Sequence, residues 1–327
     1  MDFLILSELL MPLIFMAIGI GLLIKGGNWT VDAAVFVARK FGISPLVVGF
    51  TIIAFGTSLP ELLISVFANL QGSGGIALGN VLGSNIANVL LVIGVSAVMA
   101  PLVVGSKAIF RDLLMMIMAT GLLAFLMQYG EIGRLAGFAM ILILFSYVFL
   151  QYKMAKEGDE IPEDAEEVAE YAKPIYAYGF LLLGLIAIAG GAEFLVRGAK
   201  ESATIIGVPE AVIALSIIAL GTSLPELSTC VVAVRKGHSD IVLGNIIGSN
   251  VFNILMILGI TAIVKPIAEG SFAAQLANLD IWITVFTSVV FTLLLVFFGK
   301  ITRFAGFVFC AAYIVYNVYI YAIYIVS

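Results

Sequence analysis

The hydrophobic residues of this chain run in long blocks, separated by short polar stretches that carry most of the charges. A block of about 17 to 25 apolar residues is long enough to cross a bilayer core of about 30 Å as a helix. The pattern predicts an all-α integral membrane protein with ten transmembrane helices, over residues 8–27, 43–69, 76–100, 108–128, 132–152, 174–196, 204–234, 241–264, 276–298 and 302–325.

The composition agrees with this prediction and excludes a soluble globular domain. Of the 327 residues, 62% are hydrophobic and 11% are charged, whereas soluble proteins carry about 25% charged residues. The first span follows Asp2 and Glu8 instead of a basic segment, so we expect it to be retained and not cleaved as a signal peptide. Cys230 and Cys310 lie inside apolar spans, which favours buried packing over a disulfide.

The chain contains an internal duplication. When residue n is placed against residue n + 165, the two halves align without a gap from about residue 42 to 101. In that register GTSLPE at 56–61 faces GTSLPE at 221–226, and GNVLGSN at 79–85 faces GNIIGSN at 244–250. We therefore expect a first repeat over 1–152, an acidic linker over 153–173 and a second repeat over 174–327.

Each repeat holds five spans, and an odd number forces the second copy to enter the membrane upside down. Because Lys and Arg accumulate in cytoplasmic loops, the charges test this arrangement. With both termini outside and the 153–173 loop in the cytoplasm, twelve cations fall inside: Lys25, Arg39, Lys40, Lys107, Arg111, Lys153, Lys156, Lys173, Arg235, Lys236, Lys300 and Arg303. Four fall outside: Arg134, Arg197, Lys200 and Lys265. Inverted repeats of this kind are typical of secondary transporters, which bind substrate near the bilayer midplane.

The duplicated GTSLPE segment places a glutamate in the middle of two apolar spans. A carboxylate there costs at least about 2.5 kcal/mol, and neither Glu61 nor Glu226 has a basic residue in its own span. The preceding proline removes a backbone donor, so the helix is expected to bend and free the carbonyls of residues 54–57 and 219–222. The neighbouring Thr and Ser hydroxyls supply further oxygen ligands.

A second polar stripe follows in each repeat. Asn80, Ser84 and Asn88 are four residues apart and so share one helix face, and Asn245, Ser249 and Asn253 repeat this spacing. We expect Ser84, Asn88, Ser249 and Asn253 to belong to an ion site. For Asn85 and Asn250, which lie one position off the stripe, a ligand role and a purely structural role are equally supported.

All these groups are oxygen ligands, which suits hard cations such as Ca²⁺. Two carboxylates balance the charge of one Ca²⁺ or of two Na⁺, so competition between these ions is physically natural. Exchange of more than two Na⁺ for one Ca²⁺ would move net charge and respond to membrane voltage.

The paired segments G-T-S-L-P-E and G-N-x-x-G-S-N-x-x-N resemble the alpha repeats of Na⁺/Ca²⁺ exchangers in the cation/Ca²⁺ antiporter superfamily, and the chain is similar to its compact prokaryotic members. The resemblance implies that Glu61, Glu226 and the backbone oxygens of Thr57 and Thr222 bind Ca²⁺. It implies that Na⁺ binds at Ser58, Ser84, Ser223 and Ser249 with the carbonyls of Ala54 and Ala219, and that Asn88 and Asn253 lie in the middle of the site.

The chain departs from some relatives at these last two positions, because one of them carries Asp in those proteins. Two asparagines disfavour the K⁺-dependent branch, and GTSLPE differs from the G-N-x-x-E that is usual in H⁺/Ca²⁺ exchangers. The resemblance also implies that the first and sixth spans slide past the rest, a movement that would suit close contacts at Gly19, Gly21, Gly184, Gly190 and Gly191.

The expected function is a secondary active Na⁺/Ca²⁺ antiporter of the cell membrane. Proton-coupled or K⁺-dependent exchange is the alternative within the superfamily, and a cation channel is the alternative of a different class. An enzyme is disfavoured, because no nucleophile has an evident base beside it. We expect no cofactor, no nucleic acid and no obligatory protein partner: the partners are Ca²⁺, Na⁺ and the lipid bilayer. The acidic run 157–170 lacks the spacing of a Ca²⁺ loop, which favours a solvated linker.

Overall fold

A computed structural model describes residues 3–128, 130–158, 171, 173–206, 221–268 and 276–326. Within these residues the chain is almost entirely helical, with two short strands, β1 (Leu102–Val103) and β2 (Lys300–Ile301). The helices are α1 (Phe3–Phe41), α2 (Pro45–Thr57), α3 (Leu59–Leu70), α4 (Gly74–Met99), α5 (Ile109–Gln128), α6 (Arg134–Gly158), α7 (Pro174–Ile205), α8 (Leu224–Arg235), α9 (Ser239–Val264), α10 (Ile281–Phe298) and α11 (Arg303–Val326).

The expected membrane fold is confirmed. Eight of the described helices are long and apolar enough to cross a membrane, and α2 and α3 make a ninth if they are one span with a 43° bend. The span expected over 204–234 is described only in its second half, as α8, because residues 207–220 lie outside the described chain.

Several helices extend beyond the apolar blocks. Helix α1 continues past residue 27 to Phe41, because Val31, Ala34 and Ala38 on its second half are buried in the core. Helix α7 likewise runs to Ile205 and α6 to Gly158, inside the stretch expected to be linker. Hydropathy alone placed these ends too early, because it responds to charged side chains that a helix end tolerates in water.

Helices α4 and α9 form the centre of the molecule. In α9, 89% of the most apolar window is buried, against 17% in α11, so the outer helices present their side chains to the surroundings. Each central helix contains a π-helical segment, Asn88–Ile93 in α4 and Asn253–Leu258 in α9, and a third lies in α2 at Gly49–Ile53. Segments of this kind occur mostly at functional sites.

Helices α1 and α7 pack against each other in antiparallel directions along a seam of glycines. Gly19 faces Gly191, Gly26 faces Gly184 and Gly198 faces Pro12, so contacts recur every seven residues on both helices. Gly19 and Gly26 are related to Gly184 and Gly191 by the same offset of 165 that aligns the repeats.

The expected close contacts are therefore confirmed at Gly19, Gly184 and Gly191. The expectation is wrong at Gly21 and Gly190, where a methyl group would have no atom of another described helix within 4 Å. Gly21 follows Gly19 by two residues, and Gly190 precedes Gly191 by one. Residues one or two positions apart lie on different faces of a helix, so neither glycine faces the seam.

The outer helices of each repeat pack on the central helix of the other repeat. Gly94 of α4 lies against Gly306 of α11, and Gly259 of α9 lies against Gly137 of α6. Backbone pairing follows the same rule, since β1 pairs with β2 through Leu102 and Ile301, and Ile132 pairs with Ile267.

A polar pair joins the outer helices within each repeat. The Tyr147 hydroxyl donates to Asp112 Oδ1 at 2.5 Å, and the Tyr316 hydroxyl donates to Asp280 Oδ1 at 3.0 Å. Both carboxylates are buried, so each needs hydrogen-bond donors of the kind that the tyrosines supply. Gln151 also donates to Asp112, at 2.5 Å.

Candidate cation site

The two glutamates occupy equivalent positions after two equivalent helix breaks. Ser58, with φ −85° and ψ 0°, separates α2 from α3, and Ser223, with φ −90° and ψ 1°, directly precedes α8. Glu61 and Glu226 lie in the first turns of α3 and α8, and both are completely buried. A helix N-terminus carries partial positive charge, which favours a carboxylate at this position.

The fold brings the two glutamates into one site. The charge of Glu226 acts on Glu61, and the Thr57 side chain lies against the Glu226 carboxylate. In the described part of the chain neither glutamate forms an ion pair. Two buried carboxylates that repel each other can both stay ionised only with a compensating cation.

The helices that carry the two polar stripes pack against the helices that carry these carboxylates. Helix α3 packs against the first part of α4 and against the π-helical segment of α9, while α8 packs against α9 and against the π-helical segment of α4. Eight of the predicted ligand side chains have at least one buried oxygen that accepts no hydrogen bond of standard geometry from any described residue: Ser58, Glu61, Ser84, Asn88, Ser223, Glu226, Ser249 and Asn253.

Buried polar atoms are almost always hydrogen-bonded, so eight such side chains in one place need an explanation. Asn245 on the second polar stripe is a ninth side chain of this kind in the region, whereas atoms such as Thr30 Oγ1 and Thr292 Oγ1 lie elsewhere on the helices. All eight residues were predicted from the sequence as ion ligands. Oxygens from carboxylates, hydroxyls and amide carbonyls are the ligands of Ca²⁺ and other hard cations.

Four asparagines connect α4 and α9 beside the glutamates. Asn88 Nδ2 donates to Asn250 Oδ1, and Asn253 Nδ2 donates to Asn85 Oδ1, both at 3.0 Å. These two bonds are equivalent under the repeat and cross from one repeat to the other. All four side chains are buried, with at most 1% of each exposed.

A further asparagine in each repeat attaches the central helix to the helix that carries the glutamate. Asn80 Nδ2 donates to the Glu61 carbonyl oxygen at 3.2 Å and to Ser65 Oγ at 3.0 Å. In the second repeat, Asn245 Nδ2 donates to Cys230 Sγ at 3.4 Å. The position of Glu61 is therefore fixed through its own backbone.

A comparison with known families identifies this architecture. A family model described as sodium/calcium exchanger protein matches residues 11–153 and 176–322. The chain belongs to the sodium/calcium exchanger family. Its two matched segments cover both repeats and leave out little more than the linker.

Individual members of the family match along nearly the whole chain. The sodium/calcium exchanger MaX1 of Methanosarcina acetivorans is 30% identical, over 95% of this chain and 98% of that protein. The inner membrane protein YrbG of Escherichia coli is 32% identical, over 88% of this chain and 89% of its own. A solved structure of the sodium-calcium exchanger NCX_Mj superposes with a TM-score of 0.81 at 30% identity, covering 94% of this chain and 98% of that one.

Not every residue expected from the family resemblance has the same environment. Thr57 is buried, whereas its counterpart Thr222 is partly exposed. Ala219 lies outside the described residues. The expectation of a freed carbonyl at Ala54 is wrong, because this oxygen accepts from the Ser58 N–H at 3.1 Å and from Thr57 Oγ1 at 3.4 Å. The break comes at Ser58, so the Ala54 carbonyl still closes the last turn before it.

Sequence reasoning left two features of this exchanger site unassigned. Asn85 and Asn250 pair with the predicted ligands, a contact between residues more than 160 positions apart in sequence. The π-helical segments that begin at Asn88 and Asn253 have no local composition signal. The one available signal was the GSN tripeptide, which is identical in both repeats at 83–85 and 248–250.

Proposed function

We propose that this protein is a secondary active antiporter that exchanges Na⁺ for Ca²⁺ across the cell membrane by alternating access. The observation that supports it most directly is the group of eight buried side chains with unbonded oxygens around Glu61 and Glu226. Both repeats contribute equally to this group, as expected for a midplane site of an inverted-repeat transporter. The relatives MaX1 and NCX_Mj carry the name sodium/calcium exchanger.

In this proposal Ca²⁺ binds between Glu61 and Glu226, with the backbone oxygens of Thr57 and Thr222 as further ligands. Ca²⁺ takes six to eight oxygens at about 2.3 to 2.6 Å, so water or neighbouring side chains complete its shell. The two carboxylates carry the charge that balances one Ca²⁺.

Na⁺ binds at Ser58, Ser84, Ser223 and Ser249, with the carbonyls of Ala54 and Ala219 on either side. The Ala54 carbonyl becomes available when the turn before Ser58 opens. Asn88 and Asn253 supply amide oxygens in the middle. Two like charges a few ångströms apart repel strongly in a buried site, so Na⁺ on the serines and Ca²⁺ on the glutamates exclude each other. This competition couples the two fluxes. If more than two Na⁺ replace one Ca²⁺, each cycle moves net charge.

The α1–α7 pair provides the moving element of the cycle. Its glycine seam permits one rigid unit to slide against α2, which ends just before the segment of Glu61, and against α8, which carries Glu226. The same proposal places both termini outside and the 153–173 loop in the cytoplasm, with repeats over 1–152 and 174–327. It assigns no enzymatic activity to the chain.

A flux assay in proteoliposomes tests this function. Vesicles loaded with Na⁺ and diluted into Na⁺-free buffer should accumulate radioactive Ca²⁺, while vesicles loaded with K⁺ should not. An ionophore that sets the interior negative or positive should change the rate if the cycle moves charge.

Two results would contradict the proposal. Ca²⁺ uptake driven by a proton gradient without Na⁺ would indicate proton coupling. Ca²⁺ flux that continues after the counter-ion is removed would indicate a channel. Protein-free vesicles with the same gradients give the background.

A further inference from the structure

The four asparagines between α4 and α9 raise a problem of direction. An asparagine side chain ends in one oxygen and one NH₂ group, and a half-turn about its last bond exchanges them. Only the oxygen can bind a cation, because the NH₂ group presents positive charge. An asparagine ligand therefore needs a neighbour that fixes which end faces the ion.

For Asn253, that neighbour can be traced to a fixed backbone atom. Asn85 Nδ2 donates to the backbone carbonyl of Asn250 at 3.3 Å, and a carbonyl can only accept. The Asn85 oxygen must then point the other way, where it accepts from Asn253 Nδ2 at 3.0 Å. With its NH₂ group held there, Asn253 turns its own oxygen away from Asn85.

For Asn88, the same arrangement has a weaker anchor. Asn250 Nδ2 donates to Met116 Sδ at 3.7 Å, and a thioether sulfur is a weak acceptor. The Asn250 oxygen accepts from Asn88 Nδ2 at 3.0 Å. The Asn88 and Asn253 oxygens left over are both buried and accept no hydrogen bond of standard geometry from any part of the chain that the structure describes.

The direction of these two oxygens agrees with the position of the glutamates. The segment that begins at Asn253 packs against α3, which carries Glu61, and the segment that begins at Asn88 packs against α8, which carries Glu226. Each amide is thus held by the opposite repeat, on a segment that packs against a helix carrying one of the glutamates.

We propose that Asn85 and Asn250 are positioning residues, which hold the Asn253 and Asn88 amides crosswise with their oxygens directed at the transported cation. Neither touches the ion. The inference rests on the proposed function, because it takes Asn88 and Asn253 as cation ligands. It also separates Asn85 and Asn250 from residues that only hold two helices together.

Aspartate provides a selective test, because both terminal atoms of its carboxylate are oxygens. A ligand changed to aspartate presents an oxygen in either orientation and no longer needs a positioning residue. Asn250→Ala should raise the Ca²⁺ concentration for half-maximal exchange about tenfold, as expected for one lost ion contact. Asn88→Asp should remove this effect, so that Asn88→Asp with Asn250→Ala behaves within about twofold of Asn88→Asp alone.

The crosswise arrangement supplies the matched control. Asn253→Asp should rescue Asn85→Ala but not Asn250→Ala. Asn88→Asp, in turn, should not rescue Asn85→Ala. Ca²⁺-dependent protection against thermal unfolding, measured on the same purified variants, reports binding without transport. A residue that only joins helices would show no preference between the two aspartates.

Met116→Leu removes the anchor of Asn250 without touching the asparagines and keeps the core volume. We expect about a two- to threefold loss of apparent Ca²⁺ affinity, again removed by Asn88→Asp, and this variant decides the question if the alanine variants do not fold. Two results would overturn this inference and leave the proposed function standing. One is equal rescue by both aspartates. The other is unchanged Ca²⁺ affinity in Asn85→Ala and Asn250→Ala, while Asn88→Ala and Asn253→Ala lose Ca²⁺ binding. Full Ca²⁺ binding in Asn88→Ala and Asn253→Ala would overturn the ligand assignment of the proposed function instead.

Discussion

Gly19 of α1 and Gly191 of α7 face each other so closely that a methyl group on Gly19 would lie 2.7 Å from the Gly191 carbonyl oxygen. The equivalent pair under the repeat, Gly26 and Gly184, has a separation of 2.8 Å by the same measure. Small residues let helix backbones approach in this way in membranes. The glycines bring the two backbones into direct contact, and such close packing suits a pair of helices that moves as one unit.

Gly191→Ala should disturb this seam. The added methyl group would lie 2.9 Å from the Gly19 carbonyl oxygen, so the helices must separate. We expect a loss of about 1 to 3 kcal/mol in stability and a slower exchange rate, measured by thermal unfolding in detergent and by Na⁺-driven Ca²⁺ uptake.

The neighbouring Gly190→Ala is the matched control, because among the residues that the structure describes no other helix has an atom within 4 Å of a methyl group there. Alanine is favoured over glycine in a helix by about 1 kcal/mol, so this variant should be as stable as the parent or slightly more so. Equal damage from both substitutions would show that the seam is not the cause.

Glu61→Gln and Glu226→Gln should each abolish exchange while the protein remains folded. Each removes one of two charges that balance a divalent ion, and at about 4 Å one such charge interaction is worth about 4 kcal/mol in a partly screened site. Ca²⁺ affinity should therefore fall more than about a hundredfold.

Glu201→Gln is the control for this pair, because Glu201 forms an exposed ion pair with Arg197 away from the site. It should exchange normally. Size-exclusion profiles of all three variants distinguish loss of binding from loss of folding, and substantial Ca²⁺ uptake by either site variant would refute the assigned role.

The contact between Asn245 and Cys230 predicts that serine can replace cysteine at position 230. Ser65 holds the equivalent place in the first repeat and accepts from Asn80 at 3.0 Å. Cys230→Ser should therefore preserve the contact and the activity, while Ser65→Ala should lose one hydrogen bond, worth about 1 kcal/mol. Thermal unfolding of both variants checks this, and a Cys230→Ser protein less stable than Ser65→Ala would contradict it.

The proposed orientation can be tested by cysteine labelling in a background with Cys230→Ser and Cys310→Ser. Glu131, between α5 and α6, and Lys107, just before α5, are both exposed. An impermeant maleimide should label Glu131→Cys in intact cells and Lys107→Cys only after permeabilisation. The reverse pattern would place the termini in the cytoplasm.

The sequence was informative where a physical requirement is local. Long apolar blocks identified the spans, and proline before glutamate identified the helix breaks at Ser58 and Ser223. The duplication then indicated which polar residues meet, because two copies of a midplane segment in opposite orientations must form one site. Unpaired oxygens on all eight described side chains of this site are consistent with that inference.

Features that depend on distant contacts could not be predicted. Nothing near Asn250 in the sequence indicates that its partner is Asn88, and Asp112 and Asp280 need Tyr147 and Tyr316 from another helix before their burial is explained. Helix ends were also misplaced. The second half of α1 is stabilised by packing of Val31 and Ala34, which local hydropathy does not register.

The pairing of each outer helix with the opposite repeat has a consequence for biosynthesis. Leu102 pairs with Ile301, and Gly94 packs against Gly306, so the middle of the chain finds its neighbours only near the C-terminal end. The first five spans can enter the membrane as they leave the ribosome, but their final packing must wait for the last hairpin. A chain that ends before α11 lacks the helix against which Gly94 of α4 packs, so the final packing of α4 requires synthesis of the last span.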